Sequence, residues 1–165
     1  QLKGGVASPM REPVFISSEK NLLLRFAVEL PAKSQLQSAW LELQPSPHCE
    51  ARSARIELRL SNVLSPWQEP TRSQWLRPRV GAPMHAATAP SSGTHPLRVE
   101  ITDVVHHWLR EGDRFHGLQL SVGGVSDTEA PPLLCYASGL LSHTGPMLVL
   151  YLDTPEPPRA HEKKG

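Results

Sequence analysis

Proline breaks this chain into short pieces, standing at positions 31, 45, 47, 66, 70, 78, 83, 90 and 96 among others. Each proline removes a backbone donor and fixes φ, so a helix or a central strand cannot run through it. With 17 prolines and 11 glycines, about one residue in six is a punctuator, which favours many short elements joined by turns and disfavours long helices. At 165 residues the chain has the size of one domain with a real core.

Between these breaks the apolar residues alternate. In Leu22–Leu30 the residues Leu24, Phe26, Val28 and Leu30 take one face and Arg25, Ala27 and Glu29 the other, which predicts a half-buried strand ended by Pro31. At hairpin distance, Leu36–Leu43 places Ala39, Leu41 and Leu43 opposite Ser38, Trp40 and Glu42. Arg55–Leu60 turns Ile56, Leu58 and Leu60 inward. Six prolines between Ser61 and Pro96 predict a long surface excursion anchored by Trp67 and Trp75, with one short strand near 74–76.

Alternation resumes over Leu97–Ile101 and then changes period. Thr102 is placed to cap a short helix, Asp103 suits its positive end, and Gly112 is placed to stop it in a left-handed conformation. Val104, Val105, Trp108 and Leu109 then share a face. Leu118–Val122 reads as a strand, Leu133–Tyr136 as a further candidate, and Met147–Leu152 as a last, centrally buried one. The expectation is all-β: a two-sheet antiparallel sandwich of jelly-roll type, with about seven strands and one short helix. It spans 21–153, after a flexible lead-in at 1–20 and before a disordered, proline-rich charged tail at 154–165.

A formal net charge of +1 gives no field to steer the chain to nucleic acid, and its longest apolar runs fall far short of the ~20 residues of a membrane span. The start at Gln1, without a signal pattern, reads as a processed product or an excised piece. The two cysteines, Cys49 and Cys135, fit a disulfide within the domain, an inter-chain bridge or buried thiols. His106-His107 is the strongest metal signal, but neighbouring side chains on a helix point about 100° apart and do not readily share an ion, even with His48, His116 or His143 to complete a site. Phosphate-binding glycine loops, zinc-type cysteine pairs and Gly-X-Ser-X-Gly are missing. Neither an enzyme nor a cofactor or metal site is expected.

The order of elements resembles the arm domain of a TGF-β-family propeptide, of the latency-associated-peptide type. The resemblance runs from Asn21 to Pro155. It is carried by the Ala39-Trp40-Leu41-Glu42-Leu43 strand, by Asp103-Val104-Val105 with Trp108-Leu109 and then Gly117-Leu118, and by the closing Pro146-Met147-Leu148-Val149-Leu150. It implies a secreted, extracellular domain that assists folding and dimer assembly of a cystine-knot growth factor from the same precursor, then shields or presents it by protein–protein contact. It leaves room for a homodimer and for an inter-chain bridge, because the family's dimerising cysteines also follow the Gly-Phe/Leu strand. Trp40, opposite the core face, is the candidate partner contact. The family's N-terminal ligand-encircling segment is not visible in Gln1–Pro13, and Arg52-Ser53-Ala54-Arg55, which has minimal processing spacing, runs into a strand. The element order is also similar to carbohydrate-binding β-sandwich modules of bacterial surface proteins. These need exposed aromatics as a sugar platform, for which Trp40, Trp67 and Trp75 are available.

Overall fold

The computed structural model describes residues 14–17, 21–46, 49–50, 55–67, 78–90, 95–123, 133–136 and 145–153. Nine strands and one α-helix, extended by a 3-10 turn at Gly112–Arg114, are found among them: β1 (Val14–Ser17), β2 (Leu22–Leu24), β3 (Gln35–Leu43), β4 (Arg55–Val63), β5 (Val80–Pro90), β6 (Leu97–Glu100), α1 (Thr102–Glu111), β7 (Leu118–Gly123), β8 (Leu133–Tyr136) and β9 (Met147–Asp153). They form a four-stranded sheet, β2-β7-β4-β5, a three-stranded sheet, β6-β3-β9, and a two-stranded ribbon, β1-β8. All pairings are antiparallel.

One core joins them. The four-stranded sheet supplies Leu24, Ile56, Leu58, Leu60, Leu118 and Leu120, and the three-stranded sheet supplies Ala39, Leu41, Leu43, Val99 and Leu148. The helix adds Val104, Val105 and Trp108, and the ribbon adds Ile16, Leu134 and Tyr136. The protein is thus a mostly β, sandwich-like fold with one short helix, as the alternating runs predict.

β-Bulges explain where simple alternation fails. In β3 the register against β9 shifts between Leu36 and Ser38, so Gln37 is an extra residue and Leu36 can face the core together with Ala39. The β4–β5 register also shifts on either side of Ser61, with the extra residues on β5, so that Leu60 faces His85 and Ser61 faces Pro83.

Five expectations are corrected. The 22–30 run keeps its in–out pattern, with Leu24 and Phe26 buried, but only Leu22–Leu24 joins a ladder. Val14–Ser17, placed in the lead-in, forms β1 and buries Ile16. The excursion after Ser61 contains β5, the longest strand of the described residues. It carries no apolar alternation because it lies at a sheet edge, where Ala87 and Ala89 are its inward contacts and Pro83 and Pro90 are tolerated. The strand expected near 74–76 lies outside the described residues. β9 is an edge strand rather than a central one, with Leu148 buried and Tyr151 exposed.

Thr102 is the fifth. It is the first helical residue after the cap position at Ile101, and its side chain makes no cap bond. Its Oγ1 instead accepts from Ala39 N–H (3.1 Å), while Ile101 N–H donates to Ala39 C=O (2.8 Å). The β6 ladder therefore continues one step into the helix and fixes α1 against β3. Gly112 ends the helix with a positive φ (54°), but its ψ of −124° lies outside the expected left-handed helical region. His106 is exposed and His107 half-buried.

Candidate functional site

Trp40 sits in the middle of the three-stranded sheet, with Glu100 of β6 on one side and Val149 of β9 on the other. Its neighbours along β3, Ala39 and Leu41, are fully buried, so alternation turns the indole to the outer face. The same logic places Glu42 beside Arg98 and Met147, and Ser38 beside Tyr151.

Arg98 organises this face. From the β6 edge its guanidinium reaches across β3, lying 5.1 Å from the centre of the Trp40 ring. Nε pairs with Glu42 Oε2 at 3.2 Å, and a terminal nitrogen donates to the Tyr151 hydroxyl at 3.2 Å. Glu42 is held in turn by Gln44, whose side-chain amide donates to Oε1 at 2.6 Å. The Tyr151 hydrogen bond raises the Arg98 pKa still further, against a smaller opposing effect of desolvation, with the Tyr151 and Glu42 charges assisting. The guanidinium is therefore a permanent cation that lies over the Trp40 ring and hydrogen-bonds the Tyr151 hydroxyl. Trp40 is half-buried because Arg98 covers part of it, whereas Tyr151 is 49% exposed. Arg98 thus links a Trp and a Tyr on one face, and Trp, Arg and Tyr are the residue types that dominate binding energy at protein interfaces.

No family model and no curated protein matches this chain.

The other tryptophans are differently employed. Trp67 Nε1–H donates to the His116 carbonyl (2.6 Å), and Arg25 lies 5.0 Å from the ring centre while donating to the Trp67 carbonyl (3.2 Å). This ties Trp67 to the segments following β2 and preceding β7, on the sheet that does not contain Trp40. Trp75 lies outside the described residues, as do His48, His143 and residues 52–54 of the processing-type motif. Among the described residues no group of three or more His, Cys, Asp or Glu is gathered as a metal site, and no helix is long and apolar enough to cross a membrane.

Cys49 and Cys135 are bonded to each other across 86 residues, with 5.8 Å between their Cα atoms. Of the three pairings open from sequence, the disulfide within the domain is the one formed, and it is compatible with an extracellular location. Arg98 and Tyr151 are the site residues that sequence reasoning missed. Alternation over Leu97–Ile101 gives Arg98 no role, and Tyr151 lies in a run that reads as centrally buried; the register between strands brings both to the Trp40 face.

Proposed function

We propose that this chain is a propeptide-type arm domain of a secreted TGF-β-family growth factor precursor, acting by protein–protein contact and without catalysis. The observation that carries the reading is the unit α1–Gly117–β7. Trp108 stacks on Phe115 (centroids 4.3 Å apart) and tilts against Phe26 (6.2 Å), and Gly117 turns the chain into β7 with φ +119°. These are the positions, Trp108-Leu109 and Gly117-Leu118, on which the resemblance rests.

The outer face of β6-β3-β9, centred on Trp40, Arg98 and Tyr151, is the contact surface for the cystine-knot ligand. A sugar platform has less support, since Trp67 is engaged by Arg25 and His116 on the other sheet. Expression of the precursor that contains this segment, followed by mass analysis with and without reductant, tests the reading. The expected result is a cystine-knot chain that stays bound to this domain after cleavage. Secretion of the domain with no such chain attached or encoded would overturn it.

A further inference from the structure

The disulfide joins parts of the fold that share no ladder. Cys49 lies in a turn after β3, its N–H donating to the Ser46 carbonyl at 3.1 Å, and Cys135 lies within β8. Among the described strands β8 pairs with β1 alone, over Val14↔Tyr136, Phe15↔Cys135, Ile16↔Leu134 and Ser17↔Leu133. A two-stranded ribbon this short has no stability of its own in water. It rests on the sandwich, with β1 against β7, through a small set of buried side chains, Ile16, Leu134 and Tyr136. Tyr136 is 4% exposed, and its hydroxyl meets no hydrogen-bond partner among the described residues.

The two larger sheets have different support. β3, β4 and β7 are each paired on both sides and supply most of the core. Neither depends on the ribbon for its ladder.

We infer that the β1-β8 ribbon is a flap on the sandwich and that the Cys49–Cys135 bridge is its clamp, so that reduction releases β1 and β8 while the two larger sheets stay folded. The exchange has a built-in direction. Cys49 is half-buried whereas Cys135 is 6% exposed, so an incoming dithiol reaches the Cys49 sulfur first. Its thiolate bonds to Cys49 Sγ, the Cys49–Cys135 bond breaks, and Cys135 leaves as a thiolate that takes up a proton. The second thiol of the reagent then displaces Cys49, yielding a cyclic disulfide and a second protein thiol. The protein gains two hydrogens and the dithiol loses two. Opening the flap uncovers the apolar surface beneath Ile16, Leu134 and Tyr136.

Hydrogen exchange with mass-spectrometric readout on the full chain, before and after dithiothreitol, tests this, because these cysteines are the only two in the sequence. Protection of the amides in 14–17 and 133–136 is expected to fall about tenfold or more on reduction, while 56–60 and 118–122 change by less than about threefold. Retained protection in β8, with both thiols shown free by mass, would overturn the inference. So would equal loss in every strand, which would make the bridge a clamp on the whole fold. A Cys49→Ser/Cys135→Ser chain examined without reductant should reproduce the reduced pattern, and intact β8 protection in it would count equally against the flap.

Discussion

Two aromatic clusters of this molecule use the same chemistry for opposite ends. At the helix–sheet junction, Trp108 is 7% exposed and its ring is enclosed by Phe26 and Phe115, with the helix held to β3 through Ile101 and Thr102. On the outer face of the three-stranded sheet, Trp40 has one strand to either side and the guanidinium of Arg98 over its ring. The first arrangement removes an indole from water for good. The second assembles a Trp-Arg-Tyr surface whose desolvation would be completed by something outside the described fold. Burial on folding is completed at Trp108, and burial on binding is what the proposed function assigns to Trp40, three strands earlier in the sequence.

The sharpest way to break that division is at Trp108. Trp108→Ala deletes the largest side chain of the junction and leaves a cavity between Phe26 and Phe115, for an expected loss of about 3–5 kcal/mol by urea unfolding. A small loss would mean that the helix does not lock the core. Gly117→Ala comes next. A methyl group there would lie 2.5 Å from the Leu24 carbonyl oxygen and 3.3 Å from Trp67 Nε1, at a φ of +119° that side chains rarely adopt. The backbone must shift, at a cost of about 2–3 kcal/mol. Both variants should lower secretion and ligand association together, since the fold itself is weakened.

Trp40→Ala should separate the two quantities. Stability is expected to stay within about 1 kcal/mol of the parent, the scale of a lost cation–π contact and partial burial. Affinity for the proposed cystine-knot ligand in surface-plasmon measurements is expected to fall about thirtyfold or more. Arg98→Lys should give a smaller loss, because an ammonium keeps the charge but lacks the planar fork that serves Glu42, Tyr151 and the indole at once. An unchanged affinity in Trp40→Ala would remove this face from the proposed interface.

How far such a division can be read from sequence depends on whether the information is local. The cores of β3, β4 and β7 were legible because Ala39, Leu41, Leu43, Ile56, Leu58, Leu118 and Leu120 alternate with polar neighbours. The helix was legible because Val104, Val105 and Trp108 change the period. β5 was not, because an edge strand whose contacts are Ala87 and Ala89 offers no apolar rhythm, and Pro83 and Pro90 read as breakers. β1 was hidden for a similar reason: four residues mean something only against β8, more than a hundred positions away. At the candidate site Trp40 could be placed on the outer face, but Arg98 and Tyr151 reach it through register, which no single strand encodes. Trp67 shows the converse, an indole in a proline-rich excursion that only the fold could assign to Arg25 and the His116 carbonyl.

The smallest effect is expected on the outer face of the other sheet, which serves as the control. There Arg59 Nε pairs with Glu57 Oε1 at 2.7 Å, and the guanidinium lies over Gly123, with Ala86 and Ser121 as its cross-strand neighbours. This face has an ion pair and small residues where the three-stranded sheet has Trp40 and Tyr151. The hydrogen bond from Arg59, assisted by its charge and opposed by desolvation, holds the Glu57 carboxyl below its ordinary value of 4.5. A carboxyl depressed in the folded state contributes stability that is present above that value and lost as the pH falls through the folded one. Both groups are solvent-exposed, so salt should screen what they contribute. Arg59→Ala is therefore expected to return the Glu57 titration, followed by NMR, to the ordinary range and to flatten this part of the acid response, while ligand affinity stays within about twofold. A loss of affinity as large as that of Trp40→Ala would mean that the ligand engages both sheets, and the contrast between one binding face and one inert face would no longer hold.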